Sequence, residues 1–422
     1  MNWVFFLIIL IAYFTSAWHQ WQWQTNPVTP DSPMHALTQQ LLHATTDAVT
    51  LAIGLVGVLC LFLGLMRILE EGGFVSILGK LIYPLLKPLF PEIPANHPAF
   101  GAMIMNLSAN VLGMGNAATP FGLKAMQELD KLNPHPGTAT NAMVLFLALN
   151  TACITLIPTK VIALRASAGS HDAAGIVTTT LIATLCSTAM AILCAKLLQR
   201  FTRTPKATLS TIPQTESTAP IASYPTWVSL LALVGIIALV PVTLIWGRVF
   251  SPWIIPSFIV VIFTYGLLKR LDIYATFIEG AKGGFELAIK ILPYIVAMLF
   301  AIAMLRASGA LGIITHAIAP FTAPLGIPAE ALPMVFMRPL SGSGSLGILT
   351  DILNNPALGP DSYAGYLVST MMGSTETTFY VLAVYFGAVQ IRRIRHALAT
   401  GLLVELAGMA ASVIAVKVLL FS

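Results

Sequence analysis

Charge is what this sequence has least of. Of its 422 residues only 9% are Asp, Glu, Lys or Arg, against about 25% in ordinary soluble domains. Hydrophobic residues make up 57% and mean hydropathy is +0.83, so most of the surface is expected to face lipid. Cysteine is scarce too. Cys60, Cys153, Cys186 and Cys194 all fall in apolar runs with no Cys-x-x-Cys pair, which argues against disulfides and thiolate metal sites and reads as small packing residues. The eight histidines are scattered, and neither His-Glu-x-x-His nor Gly-x-Ser-x-Gly occurs. No metal, no cofactor and no enzymatic activity are therefore expected. The net charge of +5 is no nucleic-acid signal, because the basic residues sit at the ends of apolar runs.

What is present is a series of runs near or above the roughly 20 residues that cross a bilayer. They lie at about 3–21, 47–69, 138–164, 173–199, 226–246, 253–269, 287–306, 361–386 and 396–421, which predicts an all-α polytopic membrane protein with about nine transmembrane helices. With the N-terminus inside, fourteen Lys and Arg fall on the cytoplasmic side and five outside, Lys160, Lys196 and Lys290 lying within runs. That positive-inside bias predicts a cytoplasmic N-terminus and a multi-pass protein of a bacterial inner membrane. The first run lacks a basic leader and ends in a Trp-rich belt, so it reads as a retained span rather than a signal peptide.

The organisation is two-fold. Residues 1–46 read as a first span and external loop, 47–200 as one repeat, 201–225 as a Pro/Ser/Thr-rich cytoplasmic linker, and 226–422 as a second repeat. In each half a span ends in Arg (Arg67, Arg306), and an amphipathic piece follows with prolines four apart (Pro84 and Pro88; Pro320 and Pro324). A half-length apolar segment then breaks, at 106–116 and at 339–347, before a span with polar residues at mid-depth. With repeats starting at spans two and seven, an odd offset, the two are inverted, and the broken segments are re-entrant hairpins.

Glu376, within Ser374-Thr375-Glu376-Thr377, stands at mid-depth of an apolar run, where a carboxylate costs several kcal/mol unless paired or wet. Asn150-Thr151 is its weaker counterpart in the first half. Three roles are open to Glu376: carrying a coupling proton, coordinating Na⁺ with neighbouring hydroxyls, or pairing with an Arg. Arg338 and Asp351 flank the second broken segment, so an Arg338–Asp351 or Arg338–Glu376 pair is expected. Glu70, Glu71, Glu92, Glu128 and Asp130 fall near span ends and read as mostly solvated.

Non-helical backbone survives in a bilayer only where it is buried in protein or lines water. Ser341, Ser343 and Ser345 in one break, and Asn106, Ser108, Asn110 and Asn116 in the other, supply neutral donors and acceptors suited to a polar small molecule or a partly dehydrated ion. The Gly-Ser run lacks the Lys-Ser or Lys-Thr of a phosphate loop. Each such residue also has a bland role, since small residues pack helices closely and Ser or Asn bonds neighbouring backbone.

NLSANVLGMGNAATPFGLKAMQEL (106–129) resembles spore maturation protein A. RPLSGSGSLGILTDI (338–352) with GPDSYAGYLVSTMMGSTETTFYVLAVYFGAVQIRRIRHAL (359–398) resembles spore maturation protein B. The two look fused in that order, over about 47–200 and 255–420. The resemblance implies the nucleoside-recognition or Gate domain group, which includes the membrane part of ferrous-iron transporter B and part of the concentrative nucleoside transporters. It implies two Gate-like repeats in an inner membrane. No GTPase segment accompanies them, which sets GTP-driven iron uptake aside.

The expected function is a secondary transporter or permease for a small polar solute (nucleoside-like or an ion), coupled to H⁺ or Na⁺ at Glu376. Its partners are the lipid bilayer and that solute, with no nucleic acid and a homo-oligomer left open. The alternative is a non-transporting scaffold or envelope maturation factor. A wet cavity reaching Glu376 favours the first; apolar packing around it favours the second.

Overall fold

The computed structural model describes residues 2–23, 32–94, 97–113, 115–202 and 223–421, so most of the expected linker, 203–222, lies outside the described residues. Every regular element among them is helical. In chain order the helices are α1 (Asn2–Gln22), α2 (Pro33–Glu71), α3 (Phe74–Leu86), α4 (Pro98–Val111), α5 (Gly115–Lys131), α6 (Asn141–Ala152), α7 (Thr159–Ser167) and α8 (Ile176–Leu198). The second half contributes α9 (Thr226–Leu268), α10 (Ile273–Ala307), α11 (Ala310–Thr322), α12 (Leu332–Leu340), α13 (Gly342–Asn354), α14 (Tyr363–Ser374), α15 (Thr378–Val381, continued by a π-helical turn, Leu382–Phe386) and α16 (Ala397–Leu420). Helices α8 and α16 are long and apolar enough to cross a bilayer. Leu193 and Leu197 of α8, and Leu403, Leu406, Ile414 and Val418 of α16, are exposed, as an apolar solvent requires.

Each half holds a helical hairpin followed by a broken helix. The hairpins are α4–α5 and α12–α13; the broken helices are α6–α7 and α14–α15. The hairpin breaks are shorter than the sequence suggests. Asn106, Ser108 and Asn110 stay helical in α4, and the chain leaves helix only at Leu112 and Gly113, where Gly113 takes the left-handed φ of 76° that a Cβ disfavours. In the second hairpin the chain leaves helix only at Ser341. Two expected spans merge as well. Residues 226–246 and 253–268 belong to one 43-residue helix, α9, which runs on through the Gly247 and Ser251-Pro252 between them.

The broken helices run antiparallel. At the end of α7, Arg165 donates to the Pro360 carbonyl (2.6 Å) and to Asp361 (3.0 Å), just ahead of α14. Beyond α15, Arg395 donates to the Ala139 carbonyl (3.0 Å) and to Asn141 Oδ1 (2.9 Å), where α6 begins. The start of each broken helix therefore meets the end of the other, and the two repeats are inverted. Packing follows the same crossing. Phe100, Met103 and every residue of α6 from Ala142 to Ala152 are buried, in a core shared with Val381, Leu382, Tyr385 and Phe386. A second core joins Ile162 of α7 to Leu367 and Met371 of α14 and to Leu349 of the second hairpin.

Candidate functional site

The two helix breaks meet. After Ala152 the chain turns at Cys153, which adopts φ 41°, and resumes helix only after Pro158. In the second half Thr375-Glu376-Thr377 is extended between α14 and α15. The Glu376 N–H donates to the Thr151 carbonyl at 2.7 Å. This bond satisfies one of the acceptors that the end of α6 leaves open and fixes the crossing point.

Each hairpin tip lies against the break of its own half. A Cβ on Gly113 would stand 2.7 Å from the Ile157 carbonyl, and Leu156 N–H donates to Val111 O (2.9 Å). At the second tip, a Cβ on Gly342 would come within 3.1 Å of Thr377 Oγ1.

Two polar clusters flank the crossing. In the first, Asn110 Nδ2 (3.1 Å) and the Tyr385 hydroxyl (3.3 Å) both donate to Asn150 Oδ1. Asn106 Nδ2 donates to the Ala118 carbonyl (2.9 Å) and to the Tyr385 hydroxyl (3.4 Å), while Asn106 Oδ1 and Ser108 Oγ are buried with no partner among the described residues. In the second, Ser341 caps α13 by accepting from Gly344 N–H (3.0 Å), lies 3.2 Å from Ser343 Oγ, and accepts from Ser345 Oγ at its own carbonyl (2.8 Å). Arg338 is buried and donates to Thr377 Oγ1 (2.9 Å) and to the Met372 carbonyl (3.3 Å).

Of the residues expected at the site, Asn106, Ser108, Asn110, Asn150, Thr151, Arg338, Ser341, Ser343, Ser345, Ser374, Thr375, Glu376 and Thr377 are carried by the hairpins and broken helices around this crossing. The Asn116 side chain lies outside what is described. Asp351 is elsewhere, paired with Arg306 at 2.6 Å, and the expected Arg338–Asp351 and Arg338–Glu376 pairs are not the ones formed. Geometry explains the first: Arg338 is three residues before the tip, whereas Asp351 is nine residues into α13, roughly 14 Å from it. Glu128 also departs from expectation. It is buried and bound by Lys131 one turn on, at 2.7 Å.

Glu376 itself is only partly buried, between the buried Thr375 and Thr377. Among the described residues no hydrogen bond or ion pair to its carboxylate is recorded. An acid left unpaired at such a crossing needs water or a ligand for its oxygens.

Sequence reasoning missed Glu405 and Tyr385. Glu405 is fully buried on α16, and its Oε1 accepts the Thr378 N–H at 2.8 Å, capping the half-helix that follows the second break. A signal was available: Gly401, Glu405, Gly408 and Ser412, spaced 4, 3 and 4, share one face of α16.

A helical hairpin and a broken helix in each half, inverted and interlocked at their breaks, define a Gate-type membrane protein. The chain belongs to the Gate family, described as nucleoside recognition, whose match covers residues 52–168 and 288–392. It is similar to spore maturation protein B of Bacillus subtilis (strain 168), 48% identical over 165 residues, covering 39% of this chain and 92% of that one. It is likewise similar to spore maturation protein A of the same organism, 44% identical over 151 residues, 36% of this chain and 77% of that one. A fused A and B arrangement fits both. Among solved structures it is similar to CNTnw in an inward-facing substrate-bound state (14% identity, TM-score 0.47, 97% and 91% of the two chains). The Alcanivorax borkumensis YdaH transporter is another (14%, TM-score 0.39, 98% and 97%).

Proposed function

We propose that this chain is a secondary transporter or permease for a small polar solute, multi-pass in a bacterial inner membrane with its N-terminus cytoplasmic. Two repeats, 47–200 and 226–422, joined by a linker at 201–225, form the body, and the solute binds where their breaks cross. The observation that carries this reading is Glu376, a partly exposed carboxylate with no partner among the described residues, at the meeting point of two antiparallel broken helices. A cost of several kcal/mol in lipid is offset if that point is wetted during turnover. Asn106, Asn110 and Asn150 with Tyr385 on one side, and Ser341, Ser343 and Thr377 on the other, offer neutral donors and acceptors to a hydroxylated or amide-bearing solute. Glu376 is the coupling site, for H⁺ or Na⁺. The family's description makes a nucleoside the first solute to test.

The test is uptake into proteoliposomes with and without an imposed pH or Na⁺ gradient. Wild type is expected to accumulate the solute under one gradient, and Glu376→Gln to lose gradient dependence by about tenfold or more, the scale of one removed charge interaction. Unchanged, gradient-driven uptake in Glu376→Gln would end the coupling role.

One observation favours a second reading, a non-transporting maturation scaffold. The two breaks are tied backbone to backbone by the Glu376–Thr151 bond, as a fixed assembly would be, and the curated relatives are named for spore maturation. Absence of flux for every solute class under both gradients favours it.

A further inference from the structure

Three charged side chains converge on the second break: Arg338 of α12, Glu376 of the break itself, and Glu405 of α16. Glu405 interacts electrostatically with both of the others. The other helices packed on α16 change little. Helix α6 carries no charged residue, and the one charge of α8, Lys196, is turned to the Leu89 carbonyl at 2.7 Å. Of the tyrosines on α14, Tyr366 lies under Arg165 and Tyr363 donates to the Gly326 carbonyl. The local balance is therefore one cation against two carboxylates. One carboxylate is in excess, and the fully enclosed one loses most by staying ionised.

The fit around Glu405 is tight. A Cβ on Gly401 would collide with Thr378 Cγ2, and one on Gly408 would stand 2.8 Å from Thr375 Cγ2. The break is thus pressed onto the Gly401-Glu405-Gly408 face. Within this contact Glu405 Oε1 is used by the Thr378 N–H, and among the described residues Glu405 Oε2 and Thr375 Oγ1 are buried with no hydrogen bond. An ionised Oε2 could accept from both threonine hydroxyls, but Glu405 is fully buried and the nearby Arg338 donates to Thr377 and Met372 rather than to it, so the charged form carries an unoffset desolvation cost. A neutral acid avoids that cost and keeps its bonds: its carbonyl oxygen accepts from Thr378 N–H, and its O–H donates to the Thr378 hydroxyl.

We propose that Glu405 is a second proton-binding site, distinct from Glu376, that carries a proton while the second break is closed against α16. Separation of the break from α16 admits water. The Oε2–H bond breaks, the proton leaves to that water, and the carboxylate remains as a counter-charge for Arg338. Closing the break requires the proton's return. This inference does not depend on the chain being a transporter.

The test is difference infrared spectroscopy of purified protein across a pH titration, reading the carbonyl stretch of a protonated carboxylic acid and its shift in D₂O. Wild type is expected to show such a band at neutral pH, retained in Glu376→Gln and lost in Glu405→Gln. Because Gln reproduces both hydrogen bonds of the neutral acid, Glu405→Gln is also expected to unfold at the wild-type temperature. Absence of the band from wild type throughout the titration overturns the proposal without recourse to any variant. So does its persistence in Glu405→Gln, or a lowered unfolding temperature in that variant, which would mean the site needs a negative charge. Solute flux is not read, so failure of the transport reading leaves this outcome unaffected.

Discussion

Gly408 measures how close the second break lies to its neighbours. A Cβ there would stand 2.6 Å from Ser187 Oγ and 2.8 Å from Thr375 Cγ2, both on elements that are themselves packed. Gly408→Ala is expected to destabilise by about 1–3 kcal/mol, the usual cost of an added methyl in a full core. Gly101→Ala, on α4 with nothing within 4 Å of its new methyl, should be neutral or gain up to about 1 kcal/mol from helix propensity. Thermal unfolding in detergent compares the two, and equal effects would mean that the α16 contact is not tight. Residue by residue, legibility followed local context. Glu376 stood out because Ser374, Thr375 and Thr377 surround it in sequence. Glu405 sits among Leu403, Val404 and Leu406, and its polar company comes from α15, so its importance appears only in three dimensions.

At the scale of elements, the hairpins were legible because Gly113, Asn116 and the Gly-Ser run interrupt short apolar segments. The breaks in the following helices were not. The first ends at Pro158, inside a run that hydropathy reads as continuous, and Thr375-Glu376-Thr377 contains neither Gly nor Pro and is three residues long. It is extended because Arg338 binds Thr377 and Glu405 binds Thr378 N–H, which are tertiary contacts that override local preference. A helix start offers a test that concerns acid stability. His97 is buried and caps α4, its Nδ1 accepting from Ala99 N–H at 3.2 Å. Burial holds its pKa below the ordinary histidine value, with Lys131 adding to the shift and Glu128 opposing it. The unfolded chain therefore takes up a proton at a pH where the folded one resists it, and stability is lost as pH falls below about 6.5. Unfolding temperature is expected to drop between about pH 7 and pH 5, and to drop less in His97→Asn, which retains a capping oxygen without a titrating group. An identical pH slope in that variant would assign the acid sensitivity to other groups.

For the molecule as a whole, the inverted arrangement rests on two clasps at opposite ends of the crossed helices, and they are unequal. Arg165 is completely buried. It is held by Pro360 O, Asp361, Ser170 Oγ (3.1 Å) and the Asp172 carbonyl (3.1 Å), with the Tyr366 ring 4.1 Å from its guanidinium. Arg395 is partly exposed and bonds the Ala139 and Thr202 carbonyls, with the Asn141 and Thr202 side-chain oxygens. Neither clasp could be read from sequence, since each joins residues some 200 or more positions apart, and hydropathy places both arginines at a span end without naming a partner. Truncating Arg165 empties a fully buried side-chain site and removes the donor of the Pro360 and Asp172 carbonyls, while Asp361 keeps Ser170 Oγ–H and His171 N–H, so Arg165→Ala should cost about 3 kcal/mol. Arg395→Ala leaves only neutral acceptors near water and should cost about 1 kcal/mol. The sites are at opposite ends and share no partner, so in the double variant the two losses should add. Chemical unfolding of the single and double variants in detergent measures all three values. A double variant no worse than Arg165→Ala alone would mean that releasing one end already separates the broken helices along their whole length, and the crossing at Thr151 and Glu376 would then not be an independent point of attachment.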